Sequence, residues 1–278
     1  MSFLSGDNLN LLSNVSIYER NYYNHYIKNS NIISNVIFVN ENNSQIMNSI
    51  KGKKTIFFTK IEYLSFFIRE ILPILNEKFI LITHYGDLNS GDINILLNHK
   101  LLSKWYGLNM SVISNKTEGL PIGLENKYWG RTNFDKLILF SENKKHKLCY
   151  LNFSLNTNSR RKEIMDKIIK NGFSKNETKK WIDYIEDLSQ YKFAICPDGN
   201  GVDTHRAWEC LYLGVIPIIS ESVQMSFFSD LPILYLKNFD NVTPKFLDDI
   251  YEEKFKDKNF NLEKLDISYW KNKIKKDL

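Results

Sequence analysis

The densest chemistry in the sequence lies in FAICPDGNGVDTHRAWECLYLGVIPIIS, residues 193–220. An apolar run, Phe193–Cys196, leads into Pro197-Asp198-Gly199-Asn200-Gly201, and a helical pattern opens near Asp203 and Thr204. Two glycines beside an Asp and an Asn let a backbone turn tightly and bring N–H groups close to a ligand. His205 and Arg206 then fall in the first turn of the helix, where partial positive charge favours acids. Two basic side chains there are unfavourable unless something negative faces them, and a phosphate at a helix N-terminus is such a group. Arg206 would add a bidentate, charge-assisted pair. Glu209, three residues on, shares its face and could accept hydrogen bonds from vicinal hydroxyls such as those of a ribose. The plainer alternative is an Arg206–Glu209 ion pair within the helix.

Acid–base chemistry has a second home. The apolar run Phe79–Thr83 ends in His84-Tyr85-Gly86-Asp87, and Leu120-Pro121-Ile122-Gly123 is followed shortly by Glu125. Asp87, His84 and Glu125 are the candidates for a general base, each weighed against a turn or capping role. His25, His99 and His146 have no constellation around them. Gly199-x-Gly201-x-x-Thr204, with Glu221 downstream, approaches a dinucleotide fingerprint, but Thr204 stands where close packing demands glycine. A nicotinamide enzyme is therefore the remote alternative. The sequence has no Walker A loop, no HExxH, no Gly-x-Ser-x-Gly, no zinc spacing and no Asp-x-Asp.

The elements that must position these residues alternate. Thr55–Thr59, a helical pattern over Tyr63–Leu75 and Phe79–Thr83 make a βαβ unit. Val36–Val39 reads as an earlier strand, and Asp92–Leu97 as a short helix. After the polar stretch Thr132–Lys147 the alternation resumes. Strands are predicted at Leu148–Phe153, Phe193–Cys196, Val215–Ile219 and Ile233–Leu236. Helices are predicted at Asn158–Asn171, Trp181–Ser189, Asp203–Leu213 and Thr243–Glu253, with a terminal one at Leu262–Lys275. Such alternation predicts an α/β fold with parallel sheets, whose ligands sit beyond the carboxyl ends of strands. The division expected is residues 1–145, 146–260 and a terminal helix 261–278 free to cross back to the first domain.

Composition narrows the function classes. The chain has 278 residues, 43% of them hydrophobic, enough for a large core. The net charge of +5 is mild and spread over short runs, so no nucleic-acid partner is expected. Three cysteines without CxxC spacing read as reduced thiols. No signal peptide or spanning segment is read from the sequence, so a soluble, cytoplasmic protein is expected.

The string PDGNGVDTHRAWECLYLGVIPI resembles the C-terminal signature of exostosin-like glycosyltransferases (family 47 and its relatives), in which a Gly-rich turn and an Arg-x-x-Glu helix precede a GxxPI/V strand. Upstream, FILITHYGD, KWYGLN and LPIGLEN resemble "LITHNSD", "KWFAQN" and "IPIGLAN" of short soluble relatives from large DNA viruses and microbes, and YLNFSLNTNSRR resembles the start of their second domain. The likeness is diffuse over Phe79–Ser220 and specific over Phe193–Ile219. The departures, Tyr85-Gly86, Gly107-Leu108 and Glu125, fall in the acceptor half.

The resemblance implies a GT-B fold: two Rossmann-like, doubly wound domains facing a central cleft, the first for a glycan acceptor and the second for a nucleotide-sugar. It implies inverting transfer from a UDP-sugar, with a GDP-sugar enzyme of the fucosyltransferase kind or a non-catalytic nucleotide- or glycan-binding protein as alternatives. Donor contacts would come from Gly199, Asn200, Gly201, Asp203, Thr204, His205, Arg206 and Glu209, helped by Asn156, Arg160 and Arg161. No cofactor and no metal are expected, since arginines and a helix terminus would neutralise the leaving diphosphate.

Overall fold

The computed structural model describes residues 3–28, 35–87, 94–126 and 132–278. Two compact units emerge. One comprises Met1–Ile122, Asn126–Trp129 and Asp266–Leu278, the other Gly123–Glu125 and Gly130–Leu265.

The first unit is built on six parallel strands: β1 (Val15–Tyr18), β2 (Asn35–Phe38), β3 (Thr55–Thr59), β4 (Phe79–Thr83), β5 (Leu102–Gly107) and β6 (Thr117–Gly119). Their order is β2-β1-β3-β4-β5-β6. Every residue of β3 and β4 is buried, as expected of parallel strands covered on both faces. Helices α1 (Gly6–Asn10), α2 (Arg20–Tyr22), α3 (Ser44–Ile50), α4 (Leu64–Phe66) and α5 (Asn94–Leu97) are short. The helix predicted over Tyr63–Leu75 is broken: a π-helix, Phe67–Ile71, follows α4, and a 3-10 turn, Leu72–Ile74, holds Pro73 at its start. Proline has no N–H to continue the ladder, so the helix ends there. Phe67 still reaches the core, edge-on to Phe57 at 5.1 Å.

The second unit has four parallel strands, β7 (Lys147–Tyr150), β8 (Tyr191–Ile195), β9 (Ile216–Ser220) and β10 (Leu234–Leu236), in the order β10-β9-β8-β7. Its helices are α6 (Phe134–Ser141), α7 (Arg160–Lys170), α8 (Trp181–Leu188), α9 (His205–Tyr212), α10 (Val223–Ser226) and α11 (Pro244–Ile250). Alternate strand residues face opposite ways. Cys149, Phe193, Ile195, Ile216 and Ile218 pack on Met165 and Ile168 of α7 and on Leu247 of α11. On the other face Tyr150 meets Tyr184 of α8, their rings 5.8 Å apart, and Cys196 meets Cys210 of α9. Helices therefore cover both faces, as in a doubly wound sheet. Gly214 closes α9 with φ +67°, the left-handed cap its sequence predicts.

The expected boundary at 145 falls instead between 122 and 130, because α6 packs on α8 and α9 and so belongs with the second sheet. The terminal helix, Ile267–Asp277, groups with the first unit. Asp266 caps it and bridges to Phe3, Lys273 pairs with Glu118 at 2.8 Å, and Trp270 and Ile274 are fully buried. No helix among the described residues is long and apolar enough to cross a membrane.

Candidate functional site

The turn after β8 is held from below by Arg161. Its guanidinium donates to three backbone carbonyls: Nε to Asp198 at 2.7 Å, Nη1 to Ser154 at 2.9 Å and Nη2 to Pro197 at 2.9 Å. Asn158 Nδ2 adds a bond to the Gly199 carbonyl at 3.0 Å. The turn closes on itself through Gly199 N–H to the Gly201 carbonyl, 2.9 Å. Neither glycine has positive φ. Gly199 packs tightly, since a Cβ would lie 3.3 Å from Arg161 Nη2. The Gly199 N–H and the Arg161 fork are thus spent on the loop itself. Arg161 builds the turn. Asn158, whose Oδ1 also accepts from Arg160 N–H at 3.0 Å, is a positioning residue that the motif reading passed over. Arg160 is largely exposed and pairs with Asp198 at 3.2 Å, and Asn156 is exposed.

Asp203 is buried and accepts from Trp208 Nε1 at 2.7 Å, so it anchors the start of α9. Thr204 is the N-cap residue, extended at φ −133° and ψ 141°, but its side chain makes no capping hydrogen bond. His205 Nδ1 donates to the Gly123 carbonyl at 2.8 Å, which leaves Nε2 for another partner. Asn200 is exposed and Gly201 half-buried at the tip of the turn.

Arg206 and Glu209 do not form the ion pair that their spacing allows. Glu209 is 7% exposed, and it accepts from Trp181 Nε1 at 2.9 Å and from the Tyr184 hydroxyl at 2.8 Å. Both carboxylate oxygens accept from α8, so Glu209 ties α9 to α8. Arg206 stacks its guanidinium over the Tyr184 ring, 4.8 Å from the centroid. Its Nη1 is buried and has no hydrogen-bond partner among the described residues. Burial disfavours its charge, but Tyr184, Cys196, Glu209 and Cys210 outweigh that, and its pKa is raised. The Arg161 pKa is lowered by burial and then by the nearby Arg206 charge. Two guanidinium groups therefore come close near the carboxyl end of β8, and among the described residues Arg206 Nη1 is without a partner.

A cavity of about 130 Å³ opens beyond β8, β9 and β10, lined by Asn158, Arg160, Asp198, Ser220, Lys237 and Asn238, among others. Its charges are largely matched: Arg160 by Asp198, and Lys167 by Glu163 at 2.9 Å and Asp240 at 2.6 Å.

The base candidates separate. His84 is 3% exposed, and its Nε2 donates to the Pro121 carbonyl at 3.1 Å, so it braces a loop. Asp87 is exposed, with its backbone carbonyl near Asn109 Nδ2. Glu125 is half-buried and groups with the second unit, not with the acceptor half expected for it. Trp105 is core, its Nε1 donating to Thr83 at 3.0 Å, while Trp129 lies outside the described residues. One carboxylate was overlooked in the sequence reading: Asp7 accepts from the Tyr85 hydroxyl at 2.6 Å. No motif marks it, because its partner lies 78 positions away. No protein-family model and no curated protein matches the chain.

Proposed function

We propose that the protein is a glycosyltransferase of the GT-B kind, exostosin-like, that takes a sugar from a nucleotide-diphosphate donor, a UDP-sugar ahead of a GDP-sugar, to a hydroxyl of a glycan. The observation that carries the donor half is the half-buried Arg206 at the opening of α9, whose buried Nη1 has no hydrogen-bond partner among the described residues. A buried polar group left without a partner costs about 1–3 kcal/mol, and more when charged. Such a group calls for a partner, and a bound anion is one that its charge suits. Here the uncapped first turn of α9, Arg206 and the free Nε2 of His205 are all suited to phosphate oxygens at a strand's carboxyl end.

In the reaction, these groups hold the diphosphate and stabilise the negative charge that grows on it as the glycosidic bond breaks. Tyr184, fixed by Glu209, keeps the Arg206 plane in place. The acceptor hydroxyl attacks the anomeric carbon from the opposite side in a single displacement, with its proton taken by a carboxylate. Transfer itself rests on the resemblance of residues 193–219. A thermal-shift series with UDP, GDP, CMP and NAD tests the reading. Stabilisation by UDP, or by GDP for the alternative donor, is expected; stabilisation by NAD alone would contradict it.

A further inference from the structure

The first sheet sorts charge by its two ends. Past the carboxyl ends of β1, β2, β3 and β4 come the acids Glu19, Glu41, Glu62 and Asp87. Arg20 and Lys60 at that end pair with Glu41 and Glu62. Before the amino ends of β3, β4, β5 and β6 the chain places lysines instead. Lys51, Lys53 and Lys54 precede β3, Lys78 precedes β4, Lys100 precedes β5 and Lys116 precedes β6. Residues 51–54, 75–78, 98–101 and 111–116 thus hold six lysines against a single acid, Glu77.

The strands are parallel, with Thr55 beside Phe79 and Phe79 beside Leu102, so the loops that enter them lie side by side at one edge. Hydrogen bonds knit these loops into one surface. The Gly52 N–H donates to Asn76 Oδ1 at 2.8 Å, and the Phe79 N–H to the Leu101 carbonyl at 2.9 Å. Lys116 Nζ donates to the carbonyls of Leu97 at 3.0 Å and His99 at 2.9 Å. Lys51, Lys53, Lys54, Lys78 and Lys100 are exposed, and no carboxylate pairs with them among the described residues. Their crowding is felt inside the surface. Burial lowers the His99 pKa, and the Lys116 and Lys100 charges lower it further. A one-signed face of this kind attracts an anion.

The side chains narrow which anion. The four loops contain no Arg, Trp, Tyr or Phe, the residues that grip single phosphates with a planar fork or stack on bases. They do contain Ile113, which is 67% exposed in the loop before β6. Lys104 Nζ holds that loop through the Asn115 carbonyl at 3.1 Å. Ammonium groups on flexible stems around a protruding apolar side chain suit the headgroup layer of an anionic bilayer. The charges meet the lipid headgroups, and the isoleucine reaches the acyl boundary.

We propose that the amino end of the first sheet docks reversibly on an anionic lipid surface, with Lys51, Lys53, Lys54, Lys78 and Lys100 facing the headgroups and Ile113 entering the boundary. The carboxyl ends of the same strands, where ligands of such sheets sit, then face away from the lipid. Docking makes no use of the turn after β8, so it holds or fails apart from the transferase reading.

The test is flotation with unilamellar vesicles of phosphatidylcholine, with or without about one third phosphatidylserine. Wild type should float with the phosphatidylserine vesicles at low salt, less so at ~0.15 M salt, and not with phosphatidylcholine alone. Lys53→Gln, Lys54→Gln and Lys100→Gln combined should cut the partition by about 10²-fold, since each lysine near such a surface is worth about fivefold. Lys245→Gln, Lys254→Gln and Lys258→Gln remove the same charge from the second unit and should leave the partition nearly unchanged. Ile113→Ser should weaken it several-fold. No binding to phosphatidylserine vesicles at low salt would overturn the proposal, as would an equal loss in the two lysine sets. Wild-type binding by Ile113→Ser would overturn the seating of that residue. Tighter binding to a DNA duplex than to the vesicles, lost with the same three lysines, would overturn lipid docking and give the face to nucleic acid.

Discussion

The Tyr184 hydroxyl donates to Glu209 across 2.8 Å, and the ring that carries this hydroxyl lies under the Arg206 guanidinium. One bond thus ties α8 to α9 and also sets the plane of the group proposed to meet the donor. Tyr184→Phe keeps the ring and removes the bond. It should cost about 1–3 kcal/mol of stability, because Glu209 loses a donor in a buried setting. UDP affinity should fall less than in a variant lacking Arg206. Chemical denaturation and calorimetry on the same variant check both parts.

Arg161 holds three carbonyls of the turn. Arg161→Met keeps the stem and removes every donor, leaving those carbonyls to find other partners. A loss of about 1–3 kcal/mol is expected, the cost of leaving a buried acceptor without its donor. Urea denaturation measures it, and an effect under about 1 kcal/mol would mean that the turn holds itself.

The Asp187 carboxylate joins Lys147 at 2.9 Å and Lys179 at 2.8 Å. Burial would raise its pKa, but the two lysines more than offset that, and the net shift is downward. Since the folded pKa lies below the unfolded one, this stabilisation is present above about pH 4 and drains away as pH falls further. Asp187→Asn should therefore lower Tm at pH 7 and flatten the fall in Tm below about pH 4. An unchanged acid limb of the Tm curve would show that the cluster adds nothing.

Transfer should proceed in EDTA. The reason is the lack of Asp-x-Asp in the sequence together with the guanidinium placed for the leaving group. Activity abolished by EDTA and restored by manganese would mean that the diphosphate is held by other groups.

Much of the sheet was legible in the chain. Thr55–Thr59 and Phe79–Thr83 occupy the predicted residues, because five apolar or β-branched positions in a row suit a strand buried on both faces. β1 was not legible: VSIY is short, and its partners β2 and β3 come later in the sequence. The Arg-x-x-Glu spacing placed Arg206 and Glu209 on one helix correctly. It could not show that Glu209 would turn to Trp181 and Tyr184, contacts made over separations of 28 and 25 residues. That Arg161 would donate to the carbonyls of Ser154, Pro197 and Asp198 was not legible, since no side-chain motif marks backbone partners. Asp7 gave no signal, since a lone acid in a short helix looks like a solvated charge.

The central claim is that the unpartnered Arg206 guanidinium meets a nucleotide diphosphate. Titration calorimetry of UDP against wild type and Arg206→Ala tests it most directly, with the far-UV spectrum and Tm confirming that the variant is folded. Loss of one charge-assisted contact of about 1.5–3 kcal/mol should weaken binding by roughly one to two decades. Equal UDP affinity in the two proteins would contradict the account.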